Sequence, residues 1–343
     1  MKKIIFKILI ALYATLFANS LLANDVADRL TRISQALRGG VNPSIELIDQ
    51  ANKDPKSIDF DKIVDGWLQG DEFYSNLRVW YQKLFRAPHL LKSDIEFLDN
   101  APEGLRESLA TEPVEFALWV VKNNMPYTAL IESQLALRNA VLDSFYAGAD
   151  PTGKDTANWY PVMRQENHAG VLTLKSMHYR NPTTIVNRWR THANQVLQMW
   201  SCQVLEVNID VAAAEDDETH GTDPACAGCH RPLDGIGTFF SRWDREGNFS
   251  NDSSIDDRGS YYETTAITHQ ANGLVGLGHL LANSKRFAQC MTEKSWEFLA
   301  GRDLAETETA IRSDLLQTFW QSNYDLKKLL KAIVLSPEFA KNQ

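Results

Sequence analysis

The chain has 343 residues, 44% of them hydrophobic and nine of them tryptophan, which is enough for one large core or two ordinary ones. Lys and Arg total 35 against 44 Asp and Glu, a net charge of −9, which argues against nucleic acid or an anionic membrane surface as partner. No internal repeat and no low-complexity segment interrupts it.

The opening residues read as an export signal. Lys2, Lys3 and Lys7 form a basic head, Ile8 to Phe17 a short apolar run, and small residues allow cleavage after Ser20 or Ala23. The apolar run is too short for a comfortable membrane span, with an uncleaved N-terminal anchor as the alternative. Removing residues 1–23 takes three lysines and no acid, leaving 32 basic against 44 acidic residues. That balance suits a soluble periplasmic protein with no membrane span after cleavage.

Predicted elements follow in chain order. Asp25 to Arg38 is a helix stopped by Gly39-Gly40; Asn42-Pro43 starts another, through about Lys53. Helices are expected over Asp59–Gln69 and Glu72–Phe85, with Trp67, Leu77, Trp80, Tyr81 and Leu84 on apolar faces. Thr111-Glu-Pro113 begins the next, running to Asn123, and Thr128 caps a long helix to about Tyr146. These stripes read as core rather than as a cofactor box. Turn-rich 147–153 leads to an extended loop over Asn158–Pro182, then a helix over Thr184–Gln203 carrying Ile185, Trp189, Val196 and Trp200 on one stripe. Glu215-Asp-Asp-Glu218 is a solvated acidic loop without calcium-ligand spacing. Near the C-terminus, helices are expected at Leu274–Leu281, Lys285–Ala300, Thr307–Gln321 and Asp325–Leu335. The fold class is therefore mainly α: a signal (1–23), a helical N-terminal domain (24–150), a linker loop and long helix (151–215), and a last segment with C-terminal helices (216–343), the haem segment once its Cys-Ala-Gly-Cys-His run at 226–230 is read.

The haem segment is named for Cys226-Ala-Gly-Cys229-His230. Two cysteines three apart can each add to a porphyrin vinyl group, and the next histidine, His230, then lies under the iron as its proximal ligand. The alternative is zinc, but tetrahedral zinc needs two more ligands, and no second Cys-x-x-Cys or His-x-x-x-His follows. Export and covalent haem support each other, because in bacteria attachment takes place outside the cytoplasm. Cys202 and Cys290 remain. In an oxidising compartment this leftover pair suggests a disulfide, worth about 4 kcal/mol on the chain-entropy model. Two separate buried thiols are the alternative.

From Asp61 onward the chain resembles the planctomycete-type cytochrome c proteins, exported bacterial proteins of consecutive unknown-function domains around one haem c motif. Pro126-Tyr-Thr-Ala-Leu with Leu137-Arg-Asn139, and Gly170-Val-Leu-Thr173 with Asn181-Pro-Thr-Thr184, are similar to its first two domains. Cys226 to His230, Asp234-Gly-Ile-Gly237 and Trp243-Asp-Arg-Glu-Gly247 are similar to its haem segment. Phe287-Ala-Gln-Cys290, Ala300-Gly-Arg302 and Val334-Leu-Ser-Pro-Glu-Phe339 are similar to its last domain. The departures are Asp234-Gly where the group shows Asp-Pro, and the lack of the extra N-terminal modules of longer relatives. The resemblance implies haem c and export, and supplies no reaction.

Function then turns on the sixth iron ligand. Candidates are Met177, Met199, Met291, His168, His178, His220, His269 and His279, with His178 first, Met177 second and Met291 third. Met177-His178 ranks high because it lies in an extended segment from which a side chain can be aimed at a porphyrin face. Arg231 and Arg242 suit haem propionates, and Phe239, Phe240 and Trp243 suit the haem edge. The leading expectation is a periplasmic electron carrier with one covalent haem c and a redox partner protein. An enzyme of peroxidase or oxygenase type is the alternative, with His168 and Glu166 or Arg164 as its acid–base group. A haem-containing binding module of an envelope complex is the third reading.

Overall fold

The protein is described from a computed structural model covering residues 25–92, 98, 100–179, 188–205, 224–264 and 266–341. The expected signal segment, the acidic run at 215–218 and His220 lie outside the described residues. Mainly α is the fold class. Sheet is confined to two short two-stranded antiparallel sheets among the described residues.

The chain divides into two compact units. The first takes the residues up to Leu77, Ser295–Leu315 and Lys327 onward. It holds α1 (25–37), α2 (Ile45–Lys53) and α3 (Phe60–Trp67), with α16 (Pro337–Lys341) and most of α15 (Leu326–Leu335). Ser44 caps α2, accepting from the Leu47 amide, so the helix starts two residues after the expected Asn42-Pro43. Asp59 caps α3 in the same way. Leu30, Ile33 and Leu37 of α1 are fully buried at helical spacing, as are Ile333 and Val334 of α15. Lys331 reaches Asp61 at 3.1 Å and Asp65 at 2.8 Å, and Arg29 donates to the Leu335 carbonyl at 2.9 Å.

The second unit takes Arg78–Lys294 and Leu316–Leu326. Its helices are α5 (Ala87–Lys92), α6 (Leu105–Lys122), α7 (Ala129–Glu132), α8 (Ala140–Tyr146), α9 (Lys175–Tyr179), α10 (Arg188–Trp200), α11 (Pro224–Gly237) and α12 (Gly273–Ala282). Helices α4 (Asp71–Leu84), α13 (Lys285–Ala300) and α14 (Thr309–Gln321) contribute residues to both units. The second unit's core includes a closed ring of aromatic side chains: Tyr81, Tyr127, Phe319, Tyr324, Phe287, Trp200 and Phe85, successive centroids 5.2–6.5 Å apart. Such contacts contribute beyond the area they bury. Cys202, just past α10, is bonded to Cys290 of α13 at 2.09 Å.

Three expected elements differ from those observed. Helix α6 begins at Leu105 rather than at Thr111, and carries Pro113 in its interior. The proline removes one backbone donor from the ladder, while the Thr111 hydroxyl donates to the Glu107 carbonyl nearby at 2.7 Å. The long helix expected from Thr128 to Tyr146 is broken into α7, strand β1 (Leu135–Arg138) and α8. Strand β1 pairs with β2 (Tyr160–Met163), and Asn139 restarts the helix by accepting from the Leu142 amide. The loop over Asn158–Pro182 likewise holds β2, a short 3-10 turn at Gly170–Thr173 and α9, so Met177 and His178 are helical and buried rather than extended.

The break at α7 has a physical cause outside the local sequence. Gly170 lies against the helix with φ +44°, and a Cβ there would sit 2.0 Å from the Leu130 carbonyl oxygen. A Cβ on Gly278 of α12 would sit 2.2 Å from the Ile131 oxygen. Two backbones thus approach α7 at distances only glycine permits. The second sheet is a hairpin of β3 (Arg258–Tyr262) and β4 (Thr268–Asn272) that packs on α11 and α12.

Candidate functional site

Helix α11 is built around the Cys-x-x-Cys-His run. Pro224 occupies its first position, where a missing amide costs nothing. The spacing i, i+3, i+4 sets the backbone positions of 226, 229 and 230 along one helix face. His230 is half-buried, with Nδ1 shielded from solvent, and a Cβ added at Gly228 would meet nothing within 4 Å. The helix is fixed on two sides. Asp234 pairs with Arg190 of α10 at 2.6 Å, and Gly237 packs on Trp189. Gly235 lies against the Ser260 carbonyl of β3.

Beyond the C-terminal end of α11 is a buried cluster of histidines and aromatic rings. His178 of α9 and His192 of α10 are 2% and 4% exposed, with ring centroids 5.2 Å apart. His178 stacks on Trp243 at 5.5 Å, and His192 lies 5.1 Å from Phe240, which stacks on Trp189 at 6.3 Å. His168 meets the edge of Trp243 at 5.4 Å. Histidine is only intermediate in its tendency to be buried, so two buried side by side are notable. The sequence does not single out His192, although it falls on the same helical stripe as Trp189, Val196 and Trp200.

The other candidates are dispersed. Met177 and Met199 are buried at 4% and 5%, and Met291 is fully buried on α13 beside the disulfide. His269 sits 3.2 Å from Glu263, and His279 2.7 Å from Glu132. Arg231 lies over the Tyr262 ring at 5.3 Å, while Arg242 donates to the Ser250 carbonyl and covers Phe249 at 4.8 Å. Phe239, Phe240 and Trp243 are all buried.

Behind α9 lies a buried polar network. Glu112 of α6 has no exposure, and Tyr146 donates to its carboxylate, 3.0 Å from each oxygen. The same hydroxyl accepts from the Lys175 amide at the start of α9. Burial raises the Glu112 carboxyl to about 7, opposed by Arg164, Tyr146, Arg138 and Lys175. Arg164, lowered by burial to about 10, donates to the Gly170 carbonyl at 2.8 Å and to Thr173 at 3.0 Å. His168 is lowered to about 4 by burial and by Arg164, so its ring is neutral at physiological pH. Glu166, its expected acid–base partner, is exposed.

The two metal readings ask for different donor sets. A tetrahedral ion needs three or four converging side chains, and among the described residues no such group of His, Cys, Asp or Glu is found. A covalent haem asks for one protein nitrogen and two thiols on a single helix face, and the spacing along α11 fits that demand. Among the described residues no helix is long and apolar enough to cross a membrane.

Residues 269–339, about one fifth of the chain, match a family described as a protein of unknown function (DUF1585). That family is associated with cytochrome c-like proteins in planctomycetes. The match covers β4 and α12 through α15 and reaches into α16. No curated protein and no solved structure matches the chain.

Proposed function

We propose that this chain is an exported monohaem c-type cytochrome that passes electrons in the periplasm to or from a redox partner protein. The observation that carries the reading is Cys226, Cys229 and His230 at i, i+3, i+4 on α11, a helix braced by Arg190 and β3. In this reading Cys226 and Cys229 would hold the haem by thioether bonds, and His230 would ligate its iron. His178 would be the favoured second protein ligand, ahead of Met177 and Met291. His178 is buried against His192 and the rings of Phe240 and Trp243. Arg231 and Arg242 are the propionate partners, their guanidinium groups already oriented by Tyr262 and Phe249. Bound haem would supply a one-electron redox couple.

A second reading, an enzyme with an open iron site, is favoured by one observation. His168, held neutral, belongs to the same cluster as His178 through Trp243. A neutral imidazole can accept a proton from a bound substrate.

The test is the absorption spectrum of the protein purified from periplasm: oxidised, reduced, and reduced under carbon monoxide. A low-spin haem c spectrum indifferent to carbon monoxide is expected, and C226A/C229A loses covalent haem on a denaturing gel. Ready carbon monoxide binding supports the enzyme instead. A protein without haem c, or haem retained by C226A/C229A, refutes the assignment.

A further inference from the structure

In the second unit a cleft of about 390 Å³ opens between the end of α4, the start of α5 and the face of α10. Lys83, Arg86, His89 and Lys92 line it, together with the amides of Gln82 and Gln195. Among the described residues no carboxylate lines it, although the chain carries 44 acids against 35 bases. Its cationic lining runs against the charge of the whole molecule, in a shallow, open hollow whose basic side chains are exposed.

Arg86 is held in place as well as gathered with the others. Arg86 has φ +49°, a left-handed conformation that costs a non-glycine residue about 1 kcal/mol. Its guanidinium donates to Gln198 of α10 at 2.9 Å, which fixes the fork at the wall of the cleft. The Arg86 carbonyl accepts from the His89 amide at 3.0 Å, so the same turn sets where α5 presents His89 and Lys92. Gln195 is only 5% exposed. Lysines in the last turns of helices complement carbonyl dipoles, and that accounts for Lys83 and Lys92 singly. It does not account for a strained arginine aimed from the turn between two helices, or for cations from separate elements converging on one hollow.

We propose that this cleft binds a small anion carrying two or more carboxylate or phosphate groups. A volume near the lower end of ligand sites suits a compact molecule. Arg86 would take one oxygen pair through its planar fork, while Lys83 and Lys92 act as point charges at the rim. Nothing in this binding depends on haem.

The test is isothermal titration of the full-length protein at roughly 20 mM ionic strength, with citrate and inorganic pyrophosphate as separate probes. One-to-one binding with a dissociation constant below about 1 mM is expected for at least one probe. Citrate alone identifies a carboxylate ligand, pyrophosphate alone a phosphate one, and both the shared anion chemistry. R86Q should weaken binding about tenfold or more, and K83Q and K92Q, at exposed positions, about threefold to tenfold each. R86K separates the fork from the charge, retaining less than half of wild-type affinity if two parallel hydrogen bonds are used. K154Q, on an exposed loop elsewhere, should leave binding unchanged. No heat with either probe at about 5 mM overturns the proposal. So does binding that survives the K83Q/R86Q/K92Q variant, or falls equally in K154Q.

Discussion

Replacing Glu112 with glutamine removes a titrating group from the interior while keeping an acceptor for the Tyr146 hydroxyl, 3.0 Å away in the wild type. Burial lifts the folded-state carboxyl to about 7, against an ordinary value of 4.5. The folded chain thus holds this proton more tightly than the unfolded one. The associated stability is fully present below pH 4.5 and is lost as pH rises through about 7. At about 1.4 kcal/mol per unit, the loss is on the order of 3 kcal/mol. Glutamine does not titrate, so E112Q should lose nothing over this range. Relative to wild type it should gain about 3 kcal/mol between pH 4.5 and pH 8. Urea unfolding followed by tryptophan fluorescence at pH 4.5, 6 and 8 measures this difference directly. A difference that stays flat, or that moves in favour of wild type as pH rises, refutes the reasoning. Glu112 would then be ionised in the fold and paired with Arg164, the cation that most strongly opposes the effect of burial.

Two further changes test the packing. G170A and G278A push a methyl group against the Leu130 and Ile131 carbonyls, and each should cost about 2–4 kcal/mol in the same urea assay; a cost below about 1 kcal/mol would show that α7 can shift. Removing the Cys202–Cys290 bond with C202A/C290A opens a loop of 88 residues and should cost about 4 kcal/mol. Free-thiol labelling of denatured, unreduced protein should find neither cysteine; two labelled thiols would contradict the bond.

Legibility followed the range of the forces involved. Helices with a regular apolar stripe were readable from the residues alone, because burying one face requires only the period of the helix. The expected 285–300 and 325–335 segments have close counterparts in α13 and α15, and Gly301 follows the last residue of α13 as expected. The Cys-x-x-Cys-His run was equally plain, since its chemistry lies in spacing along one turn.

Tertiary contact decided the rest. The residues from Thr128 to Tyr146 have helical periodicity, yet β2, Gly170 and Gly278 meet them from distant positions, and the helix breaks where those backbones arrive. Met177 and His178, expected in an extended segment, form a buried turn of helix because α10 and the 240–249 segment cover them. His192 and the Glu112–Tyr146 pair carried no local signal strong enough to separate them from core or surface, since burial is a property of the neighbours a residue acquires. Composition, helix period and the haem-type motif were set by the sequence itself; which titratable groups are desolvated, and which side chains share a site, only the folded chain could settle.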